Sequence, residues 1–255
     1  MEFIDTHAHL YLEHFSSDIE EVIQRAKEHE VSEIYLPNID RDSISAMIAL
    51  EDKYPGYCMS MMGLHPCSIN LQYEKELESV KEWLEKRHFV AIGEIGTDLY
   101  WDKTYIEQQK DGLKIQIGWA KEYKLPIVLH SRDSLDDTID VIEKNHFPEL
   151  RGIFHCFTGN LLQARKIIDL GFLIGVGGVS TFKNSQIGDT IKEIPLEHIV
   201  LETDSPYLSP TPYRGKRNES SYIPIIAEKL ASLTGRSVND VAHITTKNAK
   251  NIFKR

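Results

Sequence analysis

Short apolar segments alternate with amphipathic segments along the whole of this chain. Eight apolar segments have the length and composition of β-strands, at residues 2–9, 33–37, 57–64, 89–94, 126–130, 152–155, 172–175 and 199–202. Segments with apolar residues at helical spacing lie between and after them, at about residues 17–30, 42–53, 74–86, 105–123, 134–145, 161–170, a short one ending near 194, 222–234 and 237–253. This alternation predicts an α/β fold, a (β/α)8 TIM-type barrel with extra C-terminal helices. A doubly wound open sheet would give a similar alternation and stays an alternative.

The length of the chain, 255 residues, suits one barrel of this kind. The sequence contains no internal repeat, no low-complexity segment and no linker that would divide it. We therefore expect residues 1–255 to form a single barrel domain.

Charge and cysteine content limit the partners and the compartment. The net charge of -10 argues against an extended basic surface along a duplex, but it permits local binding of nucleic acid through metal ions and a few basic loop residues. The three cysteines form no C-x-x-C pair, which indicates reduced thiols. No apolar run approaches the roughly 18 residues of a membrane span, and the first strand begins too early for a signal peptide. We expect a cytoplasmic protein without a membrane partner; the sequence is compatible with a monomer but does not fix the oligomeric state.

Polar side chains occur where the predicted strands end. The C-terminal ends of the strands in a parallel barrel meet at one mouth, where the active site lies. The strand ends of this chain carry His7 and His9, His65, Glu94, His130, His155, and Glu202 with Asp204. Any one of them alone is well explained as a capped strand end, but together they indicate a divalent metal site. Imidazole and carboxylate ligands suit Zn, Mn, Fe or Co, and their number is about right for two ions that share a bridging carboxylate.

Seven short motifs resemble a known family of enzymes. In chain order they are FIDTHAHL (3–10), GLHP (63–66), GEIGTD (93–98), LHSR (129–132), HCFTG (155–159), LETDSPY (201–207) and RGKRNE (214–219). Their sequence and order resemble the TatD-type metal-dependent deoxyribonucleases, within the broader amidohydrolase-like barrels. Two positions depart from the family pattern: Thr97 stands where leucine is frequent, and Ser220 stands where proline usually follows Asn-Glu.

The resemblance implies a metal centre and a set of substrate contacts. It implies two divalent ions (Zn, Mn, Mg or similar) held by His7, His9, Glu94, His130, His155 and Asp204. It also implies a DNA substrate that is contacted by His65, Arg132, Arg217 and Asn218.

These residues suit the hydrolysis of a phosphodiester by metal-activated water. Asp204 is the candidate general base, and Arg132 and Arg217 can bind phosphate oxygens in a bidentate manner. Tyr100 and Trp101, after the fourth strand, fit either stacking on a base or packing at the rim. We therefore expect a metal-dependent deoxyribonuclease acting on single strands or from an end. The alternatives are an amidohydrolase or esterase acting on a small amide, ester or lactone, since a fold does not fix a substrate, and a metal-stabilised scaffold without activity.

Overall fold

The computed structural model describes residues 1–253 and closes them into a parallel barrel. The strands are β1 (Phe3–Asp5), β2 (Val31–Leu36), β3 (Cys58–Ser60), β4 (Ile92–Asp98), β5 (Ile127–Arg132), β6 (Gly152–Phe154), β7 (Phe172–Val176) and β8 (Ile199–Leu201). They pair in the order β1-β2-β3 and β4-β5-β6-β7-β8. A bridge between Met62 and Ile92 joins the chain after β3 to β4, and Thr6 N donates to Leu201 O at 3.0 Å, which joins β1 to β8. The predicted (β/α)8 barrel is confirmed, and the open sheet is excluded.

Helices surround the barrel and extend beyond its last strand. They are α1 (Ile19–Glu28), α2 (Ile44–Lys53), α3 (Tyr73–Lys86), α4 (Ile106–Tyr123), α5 (Leu135–Lys144), α6 (Leu161–Asp169), α7 (Ile187–Ile191), α8 (Ile223–Thr234) and α9 (Val238–Ile252). The predicted start of α9 is confirmed, because the hydroxyl of Ser237 accepts a hydrogen bond from Asp240 N at 3.1 Å. Both expected C-terminal helices are present. Within residues 1–253, no helix combines the length and the apolar character needed to cross a membrane.

Several strands are shorter than the sequence predicts. β1 ends at Asp5, although the predicted strand continued to His9. The residues that follow still bond to neighbouring backbone, as in the hydrogen bonds from Ala8 N to Tyr35 O and from Asp204 N to His7 O. The Asp5 carboxylate accepts hydrogen bonds from the Thr203 amide and hydroxyl at 2.9 and 2.6 Å and from the His7 amide at 3.3 Å.

The bottom of the barrel is filled by an apolar layer. Side chains from most of the strands form one cluster with the end of α9: Ile4, Tyr35, Met59, Met61, Ala91, Val128, Ile153, Val200, Ala249, Ile252 and Phe253. Phe253 stacks on Tyr35 with ring centroids 3.9 Å apart. A larger cluster lies between the barrel and the surrounding helices. The C-terminal helix thus closes the end of the barrel opposite the mouth.

Close strand packing yields a stability prediction. A Cβ atom at Gly152 would lie 2.0 Å from Ile127 O, a backbone atom that cannot move aside. We expect Gly152→Ala to lower the free energy of unfolding by about 1–3 kcal/mol. Gly118→Ala is the matched control, because Gly118 lies in α4 with nothing within 4 Å of its added Cβ, and alanine there should raise stability by about 0.5–1 kcal/mol. Urea unfolding of both variants measures the difference; equal stabilities would contradict the packing argument.

Candidate metal centre

Glu94 lies at the middle of the barrel mouth, with histidines on both sides of its carboxylate. It belongs to β4 and is 1% exposed. Its Oε2 atom is 3.1 Å from His7 Nε2 and 3.5 Å from His9 Nε2. Its Oε1 atom is 2.9 Å from both His130 Nδ1 and His155 Nε2. The two oxygens therefore face two separate groups of imidazole nitrogens.

Asp204 completes the first of these groups. Its Oδ1 atom is 3.8 Å from His7 Nε2 and 3.6 Å from His9 Nε2. His7 also stacks on His155, with ring centroids 3.8 Å apart, and His7, His155 and Asp204 bring ligand atoms within 4.8 Å of one another. All six predicted metal ligands therefore meet at one place.

Hydrogen bonds behind two of the histidines fix which nitrogen faces the centre. The hydroxyl of Tyr11 donates to Pro37 O at 2.6 Å, so it must accept from His9 Nδ1 at 2.9 Å. The lone pair of His9 is then on Nε2, which faces Glu94. His130 Nε2 donates to Asp98 Oδ2 at 2.8 Å, which leaves the lone pair of Nδ1 toward Glu94. Such outer partners orient metal-binding imidazoles and hold the tautomer that ligation needs.

A buried carboxylate also lies behind His155. Glu202 Oε1 is 3.5 Å from His155 Nδ1 and accepts a hydrogen bond from the Cys156 amide. Glu202 is fully buried, and it fits only because residue 175 is glycine: a Cβ at Gly175 would lie 2.3 Å from Glu202 Oε2. Gly175, within β7, thus makes room for the carboxylate behind His155.

His65 approaches the centre as a donor. Its Nδ1 accepts a hydrogen bond from Cys67 N at 3.1 Å, so the ring proton is on Nε2. That N–H points toward Glu94 Oε1 at 3.5 Å. Although its position would allow ligation, His65 therefore differs from the four ligand histidines and is set to donate to an anion.

The charges of these side chains fit bound cations. Burial opposes ionisation of Glu94, but His155 and His7 outweigh burial and hold the pKa of Glu94 well below its usual value. Burial and the neighbouring His7 keep the pKa of His9 well below its usual value, so its imidazole is neutral. His7 Nδ1 is buried without a hydrogen-bond partner among the described residues. Burial lowers the pKa of His155, but Glu94 outweighs burial and raises that pKa well above its usual value. Imidazoles around a shared carboxylate are the donor set that a pair of divalent ions such as Zn or Mn takes, and such ions displace the imidazole protons on binding.

Comparison with known proteins assigns the family. Residues 4–254 match the family described as TatD related DNase. The chain belongs to the TatD family. It is 39% identical to the uncharacterized metal-dependent hydrolase YabD of Bacillus subtilis, over 98% of both chains. It is 34% identical to the uncharacterized metal-dependent hydrolase YjjV of Escherichia coli, over 98% of this chain and 97% of that protein.

Solved structures of TatD proteins have the same fold. The crystal structure of YjjV, a TatD homologue from Escherichia coli, superimposes with a TM-score of 0.93 over 99% of this chain and 98% of that one, at 32% identity. A TatD-family hydrolase from Entamoeba histolytica superimposes with a TM-score of 0.83 at 25% identity, over 99% of this chain and 98% of that one. The protein is therefore a TatD-family metal-dependent hydrolase with a His, Glu and Asp metal site.

The predicted substrate residues take different positions in this TatD barrel. The guanidinium of Arg132 stacks over the Tyr100 ring, with its carbon 3.5 Å from the centroid. Asn218 is buried, and its amide donates to Thr203 O and Tyr207 O at 2.7 and 2.6 Å. The side chain of Asn218 is therefore hydrogen-bonded within the loop after β8, and a direct contact with substrate stays a prediction.

Arg217 is paired within the protein. Its guanidinium donates to Asp18 Oδ1 and Oδ2 at 2.8 and 2.6 Å and to His14 O at 2.7 Å. It also lies 4.6 Å from the centroid of the Phe15 ring. These contacts tie the loop after β8 to the start of α1, and a role for Arg217 in substrate binding stays a prediction.

Sequence reasoning missed the residues behind the ligands. Asp98 and Tyr11 were assigned no role, and Glu202 was noted at a strand end without one. A signal existed for Asp98, because residues 94, 96 and 98 alternate along one strand and Glu94 and Asp98 therefore share a face. For Tyr11 no comparable signal existed, since its partner Pro37 is distant in sequence.

The shared position of Glu94 predicts the metal stoichiometry. We expect the purified protein to bind about two divalent ions per chain. Glu94→Gln should lose most of both, because an amide offers one oxygen and no charge, whereas Asp204→Asn should weaken the ion beside His7 and His9 more than the other. Elemental analysis after dialysis measures the content. Glu149→Gln, at an exposed glutamate, is the control, and a Glu94→Gln protein that keeps both ions would contradict the bridging geometry.

The ion pair between Arg217 and Asp18 predicts that removing either charge lowers the stability of the protein by a similar amount. Both side chains are 30% exposed, so Arg217→Ala and Asp18→Asn should each lower the free energy of unfolding by about 0.5–1 kcal/mol. If Arg217 also binds substrate, Arg217→Ala alone will raise KM. Thermal unfolding and steady-state kinetics of both variants separate the two roles; unchanged stability in both would refute the structural one.

Proposed function

We propose that this TatD-family hydrolase is a metal-dependent deoxyribonuclease that hydrolyses phosphodiester bonds of DNA in single strands or at ends. The observation that carries the proposal is the position of Glu94, whose two oxygens face separate groups of imidazole nitrogens at 2.9–3.5 Å. Two divalent ions held there would supply an activated water and would neutralise the charge of a phosphate. The description of the family as TatD related DNase supports the same activity.

Donors beside the centre favour an anionic substrate. His65 holds its Nε2–H toward Glu94, and its side chain is 14% exposed at the mouth. In that position it donates a hydrogen bond to a phosphate oxygen or to the leaving oxygen. Arg132 has no carboxylate partner among the described residues, so its charge is available to a second phosphate oxygen. A neutral amide or lactone would leave both donors without a matching charge.

Asp204 is suited to take the proton of the attacking water. Its carboxylate is 15% exposed, in contrast to the fully buried Glu94. Burial raises the pKa of Asp204 to about 6, although His155 and His7 oppose that shift. A general base needs hydrogen-bond reach to the water and a site that solvent can enter, and Asp204 has such access.

The cysteines and the histidines support a cellular compartment and a type of metal ion. The cysteines, Cys58, Cys67 and Cys156, are free, which supports a reducing, cytoplasmic compartment. Imidazole ligands support Zn or Mn over a purely oxygen-coordinated Mg. The expected partner is therefore DNA in the presence of a borderline divalent ion.

Nucleotide release from a short single-stranded DNA tests the proposed activity. We expect the EDTA-treated protein to leave the strand intact and the protein restored with Mn, Zn or Mg to cleave it. Asp204→Asn should lower kcat by about 10²–10⁴-fold through loss of the base. His65→Ala should lower kcat by about 10²-fold through loss of one preorganised donor, yet keep its ions, because His65 Nε2 carries a proton.

Controls separate this activity from its alternative. Asp189→Asn changes an exposed carboxylate of α7 and should cleave as the unchanged protein does. A protein that holds about two ions but leaves every DNA intact would contradict the proposal. Turnover of a small amide, ester or lactone would then assign the amidohydrolase or esterase function.

A further inference from the structure

Exposed aromatic side chains gather at the barrel mouth. The described residues expose seven large apolar side chains: Met1, Leu71, Tyr100, Trp101, Leu162, Tyr207 and Leu208. Four of these lie in the loops after β4 and β8, which border the metal centre. Isolated exposed apolar residues need no explanation, but a group at an active-site mouth marks a binding surface.

The group after β4 combines aromatic rings with a cation. Tyr100 and Trp101 are 51% and 72% exposed, and their rings meet edge to face with centroids 4.8 Å apart. The guanidinium carbon of Arg132 lies 3.5 Å from the Tyr100 centroid and 5.5 Å from that of Trp101. We call these three residues the aromatic platform. Because stacking uses the face of a guanidinium, its N–H edge stays available to an anion.

One carboxylate connects the aromatic platform to the metal centre. Asp98 Oδ2 accepts from His130 Nε2 at 2.8 Å, and Asp98 Oδ1 accepts from the amides of Tyr100 and Trp101 at 2.9 and 3.3 Å. Arg132 lies two residues beyond His130 on β5, a strand rise of about 6.6 Å. The platform is thus held beside the metal centre, at a separation that one nucleotide of a DNA strand can span.

We propose that the aromatic platform binds an unstacked base of a single DNA strand next to the scissile phosphate. The indole of Trp101 stacks on the base, as aromatic side chains do in single-strand binding proteins, and Arg132 contacts the adjoining phosphate. Bases inside a duplex are already stacked on each other, so the platform selects single strands over duplex. The proposal rests on the proposed nuclease function and names the residues that determine its substrate form.

An aromatic ring and an unpaired cation together favour this occupant. An apolar protein partner would desolvate the Arg132 charge without compensating it. A phosphate without a base would use Arg132 and leave the Trp101 indole exposed to water. A single strand uses both features, with a base for the ring and a phosphate for the guanidinium.

Binding is tested without turnover, in EDTA, through tryptophan fluorescence. We expect an oligothymidylate of twelve nucleotides to quench the tryptophan fluorescence of the unchanged protein. The Trp101→Ala variant should show no such quenching. An oligonucleotide of equal length with tetrahydrofuran abasic sites should bind about tenfold more weakly to the unchanged protein, because it offers no base to stack. Leu162→Ala, at an exposed apolar residue on α6, is the matched control and should retain the quenching.

Kinetics on the metal-loaded protein test the selection of single strands. Trp101→Ala should raise KM for oligothymidylate about tenfold with little change in kcat, and Trp101→Phe should restore most of the loss. The same variant should leave KM for the abasic strand unchanged, and the preference for single strand over duplex should fall.

Two results distinguish failure of the platform from failure of the nuclease function. Equal affinity for thymidylate and abasic strands, or an unchanged KM in Trp101→Ala, would overturn the platform while metal-dependent cleavage stands. Quenching that depends on Trp101, without cleavage of any DNA, would support base binding and refute only the proposed nuclease function.

Discussion

The structure depends on one buried negative charge, the carboxylate of Glu94, surrounded by imidazole groups. Removing a carboxylate from water costs several kcal/mol unless it is paired and hydrogen-bonded, and Glu94 is 1% exposed. Histidines from different strands and loops compensate for that burial. Five of them, including His65, have a ring nitrogen 2.9–3.5 Å from a Glu94 oxygen. Because no single element carries these groups, the site exists only when the barrel closes.

Hydrogen bonds from residues behind the histidines determine which imidazole nitrogen faces the metal centre. A neutral imidazole has one nitrogen that carries a proton and one that carries a lone pair. The hydrogen-bond partner of one nitrogen decides which of the two presents its lone pair to a metal. Tyr11 and Asp98 hydrogen-bond to His9 and His130 from behind, and the Glu202 carboxylate lies 3.5 Å from His155 Nδ1. The apolar layer closed by α9 lies beneath the centre, and a dry surrounding strengthens each of these interactions. In the same way, the Cys67 amide donates to His65 Nδ1, so that the proton of His65 is on Nε2 and the ring can donate to an anion.

The fold could be predicted from local patterns, whereas the set of six metal ligands was implied by the resemblance to the TatD family. Apolar strands at regular spacing indicate a barrel, and a parallel barrel brings the ends of its strands together. The internal partners of two predicted substrate residues could not be predicted, because they depend on contacts between residues that are distant in sequence. Arg217 pairs with Asp18 across 199 positions, and Asn218 is consumed by Thr203 and Tyr207, neither of which a motif reveals.

The end of β4 connects the metal centre to the aromatic platform. Thr97, where the TatD pattern often has leucine, is buried and bonds to the hydroxyls of Ser134 and Thr138 at 2.8 and 2.7 Å. A buried hydroxyl with partners costs little, so hydrogen bonds to α5 replace an apolar contact. The next residue is Asp98, which holds His130 on one side and the aromatic platform on the other. A shift at residue 97 would therefore move His130 and the aromatic platform together, which would couple metal binding to the proposed selection of single-stranded DNA.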